Sequence, residues 1–402
     1  MNIGIVTTWF ERGAAYVSRQ FRDVLKNYHT VYIYARGGET YAKDDPKWDN
    51  EHVTWGKKNY EATTAVDLKD FQKWIEKYNI DTVFFNEQKW WDVLLLCNKM
   101  GITHGAYIDY YTEELIPMLG VHDFLICNTK RHYSAFSWHP QCYYVPWGTD
   151  VNIFKPEKTD VVNSDMVTFF HSCGMSPDRK GTDLLIKAFY QLNSFQHAKL
   201  VIHTQVDLHQ KLPTLYSIIK KLETNGALEI VHKTVPAPGL YYLGDIYVYP
   251  TRLEGIGLTI AEAISSGLVP LVPDNPPMNE FVPDDAKYKI EIERLYSRKD
   301  GYYWPKCDVS VDDLTLKMEW YIKNISEVPE LKKEARIFAE DYLNWDENSK
   351  KIVDIFETVK PLKNNHKEKA EELIKEYKSK RLSRFKKYIF KIPFARKILI
   401  GR

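Results

Sequence analysis

Apolar residues follow two kinds of spacing along the first 150 positions. Compact runs at 3–7, 31–34, 82–85, 106–108, 124–127 and 143–145 are rich in Ile, Val, Phe and Tyr and predict strands. Between them, 17–26, 68–78 and 91–100 carry apolar positions at helical intervals. Strand and helix in alternation call for a parallel sheet with crossover helices. A polar segment at 157–165 reads as a linker. The pattern then restarts, with strands at 167–170, 199–203 and 229–231 and helices at 181–192 and 214–222. The expected fold class is α/β, with two Rossmann-like domains facing across a cleft that takes the ligand.

The stretch at 247–274, YVYPTRLEGIGLTIAEAISSGLVPLVPD, organises the second half. It reads as a strand (246–249), a glycine-bearing loop (254–257), a helix (258–266) and a second strand (269–272). Glu254 and Glu262 stand eight residues apart, one in the loop and one inside the helix, so both carboxylates can face one crevice. Gly255 and Gly257 leave the backbone bare where the helix begins, and unpaired N–H groups at a helix start attract an anion. Phosphate in the loop with carboxylates on either side suits a nucleotide sugar. An ordinary strand–loop–helix turn is the competing reading. Arg179 and Lys180 sit at the mouth of the helix that opens with Gly181 and Thr182, and two cations beside a helix start favour a diphosphate.

Ligand-facing positions of an open parallel sheet lie just past the carboxyl ends of its strands. In the first half these are Gly13, then Asn86, Glu87, Gln88 and Lys89, then Asp109, Tyr110 and Tyr111 with Glu113 and Glu114 following. Acidic and aromatic groups there suit a sugar acceptor, and Asp109 is the first residue past an apolar strand. The segment 283–308 is irregular and rich in tyrosine. Helices are expected again at 311–324, 329–342 and 345–359.

Composition narrows the class. At 402 residues the chain exceeds what one core usually supports, which agrees with two domains. Its five cysteines are scattered, odd in number and form no CxxC pair, which argues against a disulfide framework or a zinc site. The opening MNIGIVTTWF enters a strand without the pattern of a secretory signal, and no apolar run approaches the roughly 20 residues of a membrane span. A cytoplasmic protein is expected. The net charge of +1 hides an asymmetry: 361–402 hold 14 Lys/Arg against four Glu, net +10, which leaves −9 on the first 360 residues. Leu382, Phe385, Ile389 and Ile392 recur at three- and four-residue spacing among Arg384, Lys386, Lys387 and Lys391. Such a basic amphipathic helix, here 379–402, is expected to lie on an anionic membrane surface. Packing of its apolar stripe on the body is the alternative. The acidic body, with no nucleic-acid motif, argues against a nucleic-acid arm.

Taken together, these residues resemble the family 4 retaining glycosyltransferases with the GT-B fold. Glu254-Gly-Ile-Gly-Leu-Thr-Ile-Ala-Glu262 followed by Gly267 is similar to the family's E-x7-E signature, and Asp245 and Pro250 stand where the preceding strand has them. Arg179-Lys180-Gly181 resembles the Lys-Gly of the donor domain. Val145-Pro146 with Gly148 and 150–154 resembles the interdomain sequence, and Trp345 the tryptophan that opens the helix crossing back. The chain departs from the family in three places: Arg179 replaces an arginine expected near Gly174, Gly13 is followed by Ala14 instead of a second glycine, and Asp109 stands where an acceptor-side histidine is usual.

The resemblance implies an acceptor-binding domain at 1–155, a nucleotide-sugar-binding domain at 156–343, a crossing helix at 344–360 and the tail at 361–402. It implies retaining transfer of a hexosyl group from a nucleoside diphosphate sugar to an acceptor hydroxyl, without a required metal or cofactor. Catalytic roles fall to Glu254, Lys180, Arg179 and Asp109. Donor contacts fall to Gly13, Gly174, Gly255, Ile256, Gly257, Leu258 and Thr259, with Glu262 on the ribose. With the tail, a lipid-linked or cell-surface glycan acceptor at the inner membrane face is expected, as in polysaccharide biosynthesis. A nucleotide-sugar epimerase of the same fold and a non-catalytic membrane-bound partner of a transferase complex are the alternatives.

Overall fold

The apolar runs of the first half assemble side by side in a computed structural model that describes residues 1–36, 41–157, 165–362 and 365–389. β1 (Asn2–Thr7), β2 (Thr30–Ala35), β3 (Val53–Trp55), β4 (Thr82–Asn86), β5 (Thr103–Tyr107), β6 (Phe124–Cys127) and β7 (Cys142–Tyr144) form one sheet in the order β3-β2-β1-β4-β5-β6-β7. Its pairings from β3 through β6 are parallel. Every residue of the central β4 is buried, as a parallel sheet covered on both faces requires. The connecting helices are α1 (Gly13–Leu25), α2 (Leu68–Tyr78), α3 (Trp91–Met100) and α4 (Lys130–Phe136). Helix α2 shows how locally these ends are set. The Asp67 carboxylate caps the Asp70 amide, and Asn79 stops the helix in a left-handed turn at φ 47°.

The second half repeats the plan. β8 (Val167–Gly174), β9 (Ala198–Thr204), β10 (Leu228–His232), β11 (Ile246–Val248), β12 (Val269–Pro273) and β13 (Lys289–Ile290) pair in parallel in the order β10-β9-β8-β11-β12-β13. Both sheets thus have a Rossmann-type strand order, which reverses between β1 and β4 in one and between β8 and β11 in the other. The helices here are α5 (Thr182–Tyr190), α6 (Leu208–Lys211), α7 (Tyr216–Thr224), α8 (Leu258–Ser265), α9 (Val311–Lys323) and α10 (Val328–Tyr342). The tyrosine-rich segment read as irregular is an antiparallel hairpin of β14 (Ile292–Tyr296) and β15 (Lys306–Val309). The adjacent charges Glu293 and Arg294 and a bulge between Ile292 and Arg294 blurred its period. The linker expected at 157–165 falls largely on 158–164, outside the described residues.

One compact unit comprises Met1–Ile126, Ala135–Tyr143 and the chain from Ile352; the other comprises Cys127–Ser134 and Tyr144–Lys351. The helix expected at 345–359 is two, α11 (Trp345–Asn348) and α12 (Lys350–Thr358). Trp345 stays in the second unit, its ring 4.8 Å from Trp147. Two backbones meet there so closely that a Cβ on Gly148 would lie 2.4 Å from the Leu343 carbonyl oxygen. In α12, Phe356 belongs to the first unit and sets its edge against Phe84 and Phe124.

The last helix, α13 (Asn365–Ile389), packs on the first unit with its initial turns. Ala370 and Ile374 are buried. The fully buried carboxylate of Asp123 takes Lys367 at 2.6 Å and the Leu362 amide at 2.7 Å, and Asn98 donates to Glu371 at 2.7 Å. Lys378 pairs with Asp92. Part of the segment assigned to a membrane tail is therefore an integral helix of the fold. The positions on which the membrane expectation rests, 382–402, have side chains outside the described residues. No helix among the described residues is long and apolar enough to cross a membrane.

Candidate active site

The site in the second unit is built where two loops leave the sheet at its reversal point. The loop after β8 turns into α5 through Gly181, at φ 69°, where a Cβ would sit 2.0 Å from the Pro250 carbonyl oxygen. Only glycine lets this loop press against the loop after β11. The two are then stitched together. The Arg252 amide and the Thr251 hydroxyl both donate to the Arg179 carbonyl, at 2.8 and 3.1 Å. The buried Arg252 guanidinium grips Asp183 through two bonds of 2.7 and 2.9 Å and Asp308 at 2.6 Å.

This clamp brings Arg179 and Lys180 onto Glu254. Glu254 Oε1 accepts from Lys180 Nζ at 2.8 Å, Thr251 Oγ1 at 2.7 Å and the Tyr249 hydroxyl at 3.1 Å, while Oε2 accepts from Arg179 at 3.1 Å. Glu254 as a whole residue is 7% exposed. Burial pushes its pKa up, but Lys180 and Arg179 outweigh that and bring it down to about 2. Burial lowers the pKa of Lys180, and Glu254 opposes the shift. At neutral pH the trio is an ionised carboxylate held by two cations, with most of its acceptor capacity in use.

Helix α8 begins beside it. Gly257 caps the helix at φ 97°, leaving the first-turn amides of Leu258 and Thr259 without helical partners. The Gly255 carbonyl is held by His132 Nε2 at 3.0 Å; burial pushes this imidazole down to about 4, so it is neutral and donates Nε2–H. Ile256 is buried and offers only backbone. Glu262, half-buried on α8, accepts from the Tyr241 hydroxyl at 2.6 Å; burial raises its pKa. Gly174 ends β8 in the left-handed region at φ 52°. The sequence-predicted cations thus converge on Glu254, whereas Glu262 is engaged by a different partner.

In the first unit the predicted positions separate into framework and surface. Asn86 is buried, donating to the Ala14 carbonyl at 2.7 Å and to Ser18 Oγ at 2.8 Å, and Tyr111 is buried with its edge on Phe136. Glu113 and Glu114 are exposed. Gly13 is exposed at the start of α1, and a Cβ there would meet nothing, so packing does not demand glycine. Asp109 lies half-buried, two residues past β5 because that strand ends at Tyr107, earlier than expected. Burial and then the Glu87 carboxylate push its pKa up to about 7, against the pull of Lys89 and Arg36. Glu87 occupies a left-handed conformation at φ 52°, and the Lys89 ammonium sits 3.8 Å over the Tyr110 ring. Among the described residues no group of three or more His, Cys, Asp or Glu is arranged to hold a metal ion.

Residues 157–338 match the family model described as Glycosyl transferases group 1. This stretch is similar to the glycosyl transferases group 1. A search of curated proteins finds no match. Among solved structures, a glycosyltransferase from Rickettsia africae ESF-5 is similar with a TM-score of 0.70 at 15% identity, over 90% of this chain and 99% of that one. Anabaena HepE in complex with UDP gives 0.67 at 13%, over 89% and 99%. Sucrose-phosphate synthase from Thermosynechococcus elongatus gives 0.66 at 12%, over 89% and 98%. At these identities the shared property is the GT-B fold of two Rossmann-like units.

Sequence reading of the site missed Tyr249, Thr251, Arg252, Tyr241 and His132. The first three lie two to five residues before Glu254, so proximity was a usable signal. His132 and Tyr241 lie 123 and 21 residues from their partners in sequence, and no local pattern marks them.

Proposed function

We propose that this protein is a retaining glycosyltransferase that moves a hexosyl group from a nucleoside diphosphate sugar to an acceptor hydroxyl. The observation that supports this most is the Arg179–Lys180–Glu254 trio beside the start of α8. As the sugar's bond to phosphate breaks, negative charge builds on the leaving diphosphate. Lys180, Arg179 and the amides of Gly257, Leu258 and Thr259 are arranged to stabilise it. Arg179 and Lys180 turn from Glu254 toward the diphosphate, which frees carboxylate lone pairs for the donor's sugar hydroxyls. Glu262 takes the ribose once Tyr241 yields to it, and Gly174 and Gly13 bring backbone close to the donor. The leaving phosphate accepts the proton of the acceptor, so neither a metal nor a strong protein base is required.

HepE was solved with UDP, so UDP heads the test, followed by GDP and ADP. One of the three is expected to raise the melting temperature by several degrees, since ligand at 100-fold its Kd adds about 2.7 kcal/mol. If none shifts the melting curve, the donor reading fails.

Asp109 serves the acceptor. With its pKa near 7 it gains charge across the neutral range, so acceptor use rises with pH there. Asp109→Asn is expected to lower kcat/KM for the acceptor about 100-fold and to leave donor hydrolysis intact. Equal losses in both reactions would make Asp109 structural.

The acceptor is a lipid-linked or cell-surface glycan reached from the inner membrane face, with the tail as a peripheral anchor. Lys378 fastens α13 to Asp92, so removing 379–402 spares the packed part of the helix. The full chain is expected to sediment with phosphatidylglycerol vesicles and the truncated chain to stay in the supernatant. Identical sedimentation of the two rules the anchor out.

A further inference from the structure

Between the lysine and the glutamate of the trio stands a phenol. Tyr249 is fully buried, stacked on Tyr247 with centroids 5.2 Å apart and planes 20° apart. Its hydroxyl accepts from Lys180 Nζ and donates to Glu254 Oε1 at 3.1 Å, and the ammonium lies 4.8 Å from the ring centroid. An ammonium has three donors. Glu254 and Tyr249 take two, and among the described residues no hydrogen bond uses the third. A hydroxyl can accept from the cation and donate to the anion at once, which neither a carbonyl nor a second cation can do.

We infer that Tyr249 is a positioning residue for the donor's diphosphate: its hydroxyl aims the Lys180 ammonium and sustains its charge when Glu254 turns to the sugar. This rests on the donor reading above. When the diphosphate draws Arg179 and Lys180 away from Glu254, the ammonium exchanges the carboxylate for a phosphate oxygen, and the Tyr249 hydroxyl is the protein acceptor that stays. The ionisable groups facing the ammonium are Glu254 and Arg179 from the loops, His171 and Cys173 from β8, and Glu262 from α8. Burial lowers the pKa of Lys180; Glu254 raises it and Arg179 lowers it further. Burial brings His171 down to about 4, so it is neutral above pH 7, and burial raises the Cys173 thiol and the Tyr249 phenol. Lys180 is therefore the cation whose charge is lost as the solution becomes alkaline.

The test is calorimetric titration from pH 7 to 10 with UDP, or with whichever diphosphate the melting panel selects, on the wild type, Tyr249→Phe and Lys180→Arg. The wild type should lose affinity as pH rises. Lys180→Arg, whose guanidinium stays charged, should lose that alkaline limb. Tyr249→Phe should bind roughly tenfold more weakly at pH 7.5, the loss of one hydrogen bond to a charge. Its alkaline limb should move down by about one pH unit, because an acceptor that favours the charged form is gone. Its melting temperature, with the ring retained, should show a folded protein. Superimposable profiles for the wild type and Tyr249→Phe, or an unchanged limb in Lys180→Arg, overturn the inference while the donor reading stands. A wild type that binds none of the three diphosphates overturns both.

Discussion

Lys180→Ala is expected to cut release of nucleoside diphosphate from the sugar donor by about 100- to 1000-fold in kcat/KM, the cost of removing one charged donor from a developing oxyanion. In the free protein the ammonium is held between Glu254 and Tyr249, and it turns from the carboxylate to the diphosphate when the donor binds. Alanine also leaves Glu254 with Thr251, Tyr249 and Arg179 as partners, so the carboxylate keeps three donors and the loop keeps its shape. The variant should melt close to the wild type while both affinity for the diphosphate and turnover fall. Diphosphate release within threefold of the wild type in a folded Lys180→Ala protein would end the donor assignment.

Glu254→Gln should give a different split. The amide keeps the shape and can still accept from Lys180 and Thr251, but it removes the charge that holds Arg179 and Lys180 in the free protein. Turnover should fall by about 100-fold or more, because the sugar loses its carboxylate partner. Affinity for the free diphosphate should hold or rise, since the phosphates no longer compete with a protein anion for the same two cations. Parallel titrations of Lys180→Ala and Glu254→Gln decide the point, and equal losses of diphosphate affinity in both would refute competition. Stability carries the same signature. The pKa of Glu254 falls from 4.5 to about 2 on folding, so its carboxylate stabilises the fold above about pH 4.5, and that contribution is lost as pH falls toward 2. The glutamine variant should lack this acid-sensitive component in urea unfolding at low pH.

How much of this was readable beforehand follows from the range of the forces involved. Helices at Leu68–Tyr78 and Trp91–Met100 match the expected bounds, because their stop signals, Asn79 and Gly101 in left-handed turns, are local to the sequence. The hairpin β14–β15 was not legible. Its strands are short and charged, and it is anchored by Arg252 reaching Asp308, 56 residues away. The tail was misjudged in part for the same reason. The burial of Ala370 and Ile374 and the ion pairs of Lys367 with Asp123 and Lys378 with Asp92 depend on surfaces 244 and 286 residues earlier.

The sequence alone determined the alternation that makes two parallel sheets, the glycine-flanked Glu254 loop and the basic pair before α5, since periodicity and helix-end chemistry act over a few residues. The tertiary structure alone decided that Arg179, Lys180 and Glu254 are mutual partners, with Tyr249 and Thr251 completing the set. Arg179 and Lys180 are 74 or more residues from Glu254 in the chain. They meet because Gly181 lets one loop lie against Pro250 and Arg252 ties the two loops down. A charge's pKa and its freedom to meet a ligand depend on burial and on opposite charges within a few ångströms. That neighbourhood exists only once the sheet has brought β8 and β11 side by side.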